Sequence, residues 1–217
     1  MGKGVQVEVW GPYALFSRPE LKVERVSYDV MTPSAARGLL EAIFWHPGMR
    51  WKIDRIHVLS EIRFTNIRRN EVKSKILASN VRAAMTGSGK PPAIYTGEDI
   101  QQRASMVLTD VRYVIEAHFE LTERAAPSDN EGKFIEITRR RLERGQCYHR
   151  PYFGCREFPA AFRIWEGGPI PSIAETRDLG LMLYDMDYSN PRRIEPMFFR
   201  ARLEQGVLEV AGQEVLR

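Results

Sequence analysis

The groups in this chain best suited to chemistry are guanidinium, ammonium, imidazole and phenol, and they are spread unevenly. Residues 63–82 hold Arg63, Arg68, Arg69, Lys73, Lys75 and Arg82 against Glu71, a local charge of +5. Residues 133–163 hold Lys133, Arg139, Arg140, Arg141, Arg144, Arg150, Arg156 and Arg163 against Glu136, Glu143 and Glu157, again +5. The whole chain carries only +4, so the rest lies at −6 and the protein is electrically polarised. Guanidinium forks grip phosphate, and the interleaved Tyr148, Tyr152, Phe153 and Phe158 offer rings for stacking, a combination that suits an RNA-binding surface. A solvated basic helix face is the plainer reading of the same charges. Neighbouring helical residues point about 100° apart, so Arg139, Arg140 and Arg141 cannot share one ligand, whereas Arg140 and Arg144 share a face. That pair, with Arg68, Arg69 and Arg150, forms the set of phosphate contacts expected here. Cys147, His149 and Cys155 are too few and too irregularly spaced for a metal site, so neither metal nor cofactor is assigned.

These groups need a scaffold. The chain has 217 residues, 43% apolar and 28% charged, the composition of a soluble globular protein with ample material for a core. No apolar run approaches the roughly 18 residues of a membrane span, and the N-terminal MGKGVQVEVW has one lysine but no apolar signal core. No membrane partner and a cytoplasmic location are therefore expected. Val5, Val7 and Val9 alternate with Gln6, Glu8 and Trp10 and predict a first strand, broken at Gly11-Pro12. Thr32-Pro33 supplies a helix N-cap and first residue. Ala36, Leu39, Leu40 and Ile43 form its apolar stripe, stopped by Pro47.

Residues 51–67 alternate loosely through Ile56, Val58, Ile62 and Phe64 and read as one long or bent strand. Residues 70–104 are basic, polar and interrupted by GSGKPP, which predicts a projecting arm or insertion. Odd positions from Val107 to Leu121 then suit a buried strand face. The even positions Asp110, Arg112, Glu116, His118 and Glu120 face the other way, onto a surface open to water or a ligand. Ser128 with Glu131 fits a capping box for a second helix carrying Phe134, Ile137, Thr138 and Leu142, ended by Gly145. Strands recur at 158–165, 181–188 and 197–210, the last with a turn at Glu204-Gln205-Gly206. The order βαββαβ with a β-rich tail predicts an α+β fold of the ferredoxin-like, RNA-recognition type, without the ribonucleoprotein motif of ordinary RNA-recognition domains.

Several strings taken together, VWGPYALFSRPELKVERVSY, TPSAARGLLEAIFWHP, FTNIRRNEV, EGKFIEITRRRLERGQC and HRPYFGCREF, resemble the type I-C, or Dvulg, branch of the CRISPR-associated Cas-five family. The likeness runs in order through nearly the whole chain. It implies a ferredoxin-like core over 1–165 that includes an inserted β-hairpin arm at about 70–104, and a C-terminal β-rich extension over 166–217. It also implies an activity: cutting precursor CRISPR RNA at the base of the repeat hairpin without metal, then keeping the 5′ handle of the mature guide RNA within the Cascade complex beside its other subunits. The rival expectation is a scaffold subunit that grips the guide RNA without cutting it. A double-stranded DNA ligand on the same basic face is a third.

Metal-independent cleavage uses the 2′-hydroxyl as nucleophile on the adjacent phosphate. It asks the protein for an acceptor at that hydroxyl, a cation at the phosphorane and a donor for the leaving oxygen. Lys133 is the first candidate, in the opening turn of the second helix where the helix dipole already favours phosphate. The resemblance matches Lys133 to the lysine that follows Glu-Gly in related active sites. It also shows Phe134 and Phe44 standing where relatives have histidine and tyrosine. A phenyl ring handles no proton, so the other roles fall to His46, His118, Tyr148 and His149. His118 is expected between Glu116 and Glu120, whose charges would favour its protonated form.

Overall fold

The computed structural model describes residues 4–21, 23–190 and 192–217, so the N-terminal lysine, Lys3, lies outside the described residues. Its elements are β1 (Val5–Ala14), β2 (Arg25–Val26), α1 (Pro33–Ile43), β3 (Met49–Val58), β4 (Phe64–Val72), α2 (Ala78–Met85), β5 (Ile100–Leu121), α3 (Glu131–Glu143), β6 (Ala161–Ile164), β7 (Arg177–Asp187), β8 (Glu195–Glu204) and β9 (Val207–Glu209). One open sheet runs β6-β1-β5-β3-β9-β8-β7, and β2 and β4 pair with further stretches of β5. All these pairings are antiparallel except the short β2–β5 contact. The expected α+β class holds in this form, with three helices and a mostly antiparallel sheet.

The alternation that predicted β5 works as pattern arguments say it should. Val107, Val111, Tyr113, Ile115, Ala117 and Phe119 are buried, while Leu121 at the strand end is exposed. They join the Val5, Val7 and Val9 face of β1, with Ile53 and Ile56 of β3, Leu39, Leu40 and Ile43 of α1, and Phe134 and Leu142 of α3, in one core. α1 starts as read: Pro33 is its first residue and the Thr32 hydroxyl accepts the Ala35 amide at 3.2 Å.

Several boundaries differ from expectation. β1 continues through Gly11-Pro12 to Ala14, because Tyr13 and Ala14 still pair with Thr109 and Leu108 of β5. The single strand expected over 51–67 is two, β3 and β4, separated by 59–63. The polar segment that follows contains the short helix α2, none of whose side chains is buried. α3 is capped by Asn130 rather than Ser128: the Asn130 side chain accepts the Lys133 amide at 2.9 Å, and its backbone is extended, as a cap requires. The helix ends as read, with Gly145 at φ +62°.

β4 zips against the first part of β5 from Phe64↔Leu108 to Val72↔Ile100, forming an arm whose outer end holds α2. The rest of β5 sits in the sheet. Between the two stretches Asp110 adopts φ +50°, and the β1 register steps from Gly11↔Val111 to Tyr13↔Thr109 around it. β8 and β9 turn at Gln205-Gly206, both with positive φ, as the Glu204-Gln205-Gly206 turn predicted.

Candidate active site

The C-terminal end of α1 and the start of α3 meet at one corner of the molecule. The last carbonyls of α1, which a helix cannot satisfy itself, are taken from outside. Arg141 donates to Ile43 O at 2.6 Å and lies over the Phe44 ring. The amides of Tyr148 and His149 both donate to Ala42 O, at 2.9 and 3.0 Å. The Trp51 indole donates to Phe44 O. α3 and the segment after it are thus tied to the end of α1.

Immediately beyond α1 a tight turn places His46. The Gly48 amide donates to His46 Nδ1 at 3.0 Å, and the Met49 amide to His46 O. Across from it, the 122–130 loop presents Asp129. Its Oδ1 accepts from Lys133 Nζ at 2.8 Å, its Oδ2 accepts the Ala126 amide at 2.9 Å, and His46 Nδ1 stands 3.8 Å from Oδ2. The Asp129 side chain is almost wholly covered, 2% exposed, whereas those of Lys133 and His46 are 44% and 39% exposed. The Lys133 ammonium, followed by the Ala126 amide, holds the Asp129 carboxyl below the usual carboxylate range. Gly48 is where this fit is tightest: a Cβ there would come within 2.9 Å of Ala125 Cα, 3.0 Å of Asp129 Oδ2 and 3.1 Å of His46 Nδ1. Phe134 forms the floor, with ring contacts to His46, Phe119 and Phe44 at 5.0, 5.9 and 6.0 Å.

This arrangement sets proton positions. Because the Gly48 N–H points at Nδ1, that nitrogen is the acceptor and neutral His46 carries its hydrogen on Nε2. His46 therefore presents a donor. Lys133 presents a cation, shared with Asp129, so an incoming phosphate competes with the carboxylate for the ammonium. The helix start is partly used as well, since the Lys133 amide is committed to Asn130.

Of the residues expected to do chemistry, Lys133 and His46 are brought together. Tyr148 and His149 are exposed, their rings 4.4 Å apart, and hang from the same α1 end by their amides. His118 is not part of the group. It projects from the face of β5 opposite Phe119, away from α3, and its Nδ1 lies 2.9 Å from both Asp54 oxygens. The carboxylates expected to flank it are engaged elsewhere, Glu116 with Gln6, Arg55 and His57, and Glu120 with Lys52. Arg140, Arg144 and Arg150 are exposed, as phosphate contacts must be, and so is Arg68. Arg69 is half-buried, bonded to Glu157 at 3.1 Å and lying over Phe158, and as the neighbour of Arg68 on β4 it faces the other side of the arm. Asp129, Asn130 and Gly48 were missed by sequence reasoning, and Arg141, read there only as one of three consecutive basic helix residues, serves the end of α1 instead. Of the first three only Asp129 left a signal, its spacing of four from Lys133.

Comparison with known proteins bears on what such a corner is for. Residues 4–211 match the family described as CRISPR-associated protein (Cas_Cas5). The chain belongs to this Cas5 family. It is 48% identical to the CRISPR pre-crRNA endoribonuclease Cas5d of Mannheimia succiniciproducens over 97% of this chain and 96% of that one. It is 43% identical to the protein of the same description from Thermus thermophilus, over 97% and 92%. The family expected from the residue strings is therefore the right one. In three dimensions a solved CRISPR-associated protein, 20% identical, superposes over the whole chain and 97% of its own with a TM-score of 0.70, and so shares the fold. No described helix is long and apolar enough to cross a membrane.

Proposed function

We propose that the chain is a precursor CRISPR RNA endoribonuclease that cuts at the base of the repeat hairpin without metal and stays on the 5′ handle as a Cascade subunit in the cytoplasm. The observation that carries the reading is the pairing of half-exposed Lys133 and His46 across the covered carboxylate of Asp129. The 2′-hydroxyl oxygen attacks the adjacent phosphorus, the P–O5′ bond breaks, and the products are a 2′,3′-cyclic phosphate and a 5′-hydroxyl. Lys133 meets the charge that builds on the phosphorane oxygens. His46 donates its Nε2–H as a hydrogen bond to the departing 5′ oxygen, which takes its proton from solvent water, and His149, with Tyr148 beside it, takes the proton from the 2′-hydroxyl. Exposed Arg140 and Arg144 hold phosphates leading away from the site, with Arg68, Arg69 and Arg150 as further guide contacts.

The architecture supports the same assignment. Strands in the order β6-β1-β5-β3, with α1 and α3 as the two crossovers, correspond to a ferredoxin-like βαββαβ core, to which β4, α2 and the first part of β5 add an arm. We assign residues 1–165 to that RNA-binding core and 166–217 to the β-rich extension.

One observation favours a scaffold that binds without cutting: Phe44 and Phe134 are buried against each other and supply no protons. Incubating the purified chain with a repeat hairpin in EDTA separates the two. Cleavage with a cyclic phosphate end is the expected result. Tight binding with intact RNA after prolonged incubation would assign the chain to the scaffold class.

A further inference from the structure

The face of the sheet turned away from α1 and α3 carries a group that the corner site does not use. Trp10 and Glu8 stand two residues apart on β1 and so point to the same side. Trp10 is opposite Arg112 of β5 and Ala161 of β6, and Glu8 is opposite Val114 and Arg163. Glu8 is fully buried. One of its oxygens accepts from the Arg112 guanidinium and the other from Arg163 Nε. A buried carboxylate is costly unless paired, and here it is paired twice, so the cluster keeps one net positive charge. The two arginines are 47% and 58% exposed, leaving guanidinium edges turned to solvent. The Arg163 guanidinium carbon sits 5.5 Å from the Trp10 ring centre, and the small Ala161 beside Trp10 leaves that ring partly uncovered.

We propose that Trp10, Arg112 and Arg163 form a second RNA contact, a platform for one unpaired nucleotide: the base stacks on Trp10 and the adjoining phosphate binds the two guanidinium groups. Glu8 positions the arginines and does not touch the ligand. An unpaired nucleotide fits better than duplex, because a base within a duplex already has both faces stacked and cannot lie on an indole. A fixed pair of forked donors suits a phosphate rather than a neutral surface. The inference rests on the reading of this chain as an RNA-handling protein, but not on its cutting RNA.

The test compares binding of two RNAs by fluorescence anisotropy, a repeat hairpin with blunt ends and the same hairpin with a single-stranded flank, each carrying a 2′-deoxy nucleotide at the hairpin base so that no attacking hydroxyl is present. Trp10→Ala is expected to weaken the flanked RNA roughly ten-fold and leave the blunt hairpin unchanged, with Trp10→Phe recovering most of the loss. Arg163→Ala combined with Glu8→Gln, which removes the buried carboxylate together with its partner, is expected to weaken the flanked RNA several-fold and make its salt dependence shallower. Equal affinity of parent and both variants for the flanked RNA overturns the platform, and so does an equal loss on both RNAs. A parent chain that fails to cut the unmodified hairpin but loses flank affinity on Trp10→Ala removes the nuclease reading and leaves the platform standing.

Discussion

Toward the helices, Val111, Tyr113, Ile115, Ala117 and Phe119 of β5 are buried in the core, and polar groups gather only at the corner where α1 ends and α3 begins. Toward the other side, Glu116, His118 and Glu120 of the same strand stand in a field of balanced charge. His118 faces Asp54, Glu116 faces Arg55 and His57, and Glu120 faces Lys52. Charges closed into pairs on a sheet hold their side chains still and have little left for a substrate. At the corner, by contrast, one carboxylate is set against both an ammonium and an imidazole, and exposed arginines and a Tyr-His pair stand nearby. The difference teaches that carboxylates near a histidine in sequence need not be the ones it meets in the fold, since His118 meets Asp54 rather than Glu116 or Glu120. What matters is whether its partner leaves a proton or a charge to spare.

The contrast can be broken most directly at Lys133. Lys133→Ala is expected to slow hairpin cleavage about 10²- to 10⁴-fold, with hairpin affinity much less affected, in single-turnover assays. Next comes the basic helix face, where Arg140→Ala with Arg144→Ala should weaken RNA binding about ten-fold and make the salt slope shallower by roughly 1.4. Unchanged affinity there would move the RNA track elsewhere.

The sheet side gives a smaller, pH-dependent effect. Burial pushes the His57 pKa below its ordinary value, and its Nδ1 bonds the Ser172 hydroxyl at 3.0 Å. The unfolded chain then binds this proton more readily than the folded one. Stability from this group is intact above about pH 6.5 and falls as acid takes the pH below that value. Thermal melts at pH 5.5 and 7.5 should show the loss, reduced in His57→Gln. The smallest expected effect is at His118. His118→Ala should change cleavage no more than about two-fold, as for a substitution outside the reacting groups. A loss matching that of Lys133→Ala would merge the two faces into one site.

How much of this was legible depended on how local the signal was. The Thr32-Pro33 start, the alternation of β5 and the Gly145 stop are decided by neighbouring residues, and each was readable. The turn between β3 and β4 was hidden because Ile56, Val58, Ile62 and Phe64 keep the same parity across it. Ser128 and Asn130 are both competent caps, and only the extended backbone of Asn130 settles which one serves. The partner of His118 was invisible because the register shift between Ile53 and Arg55 sets Asp54 beside it. His46 meets Asp129 only through the folded corner. Phe134 was readable as a missing proton carrier, but not as the surface on which His46 rests.

β5 is one unbroken strand of 22 residues, roughly 70 Å of backbone, anchored in the sheet at one end and free in the arm at the other. The left-handed Asp110 lies where the two stretches join. Because β1 still pairs with Thr109 and Leu108, and β2 with Ser105 and Met106, the root of this boom is clamped past the kink, and any change in its tilt has to carry β1 and β2 with it.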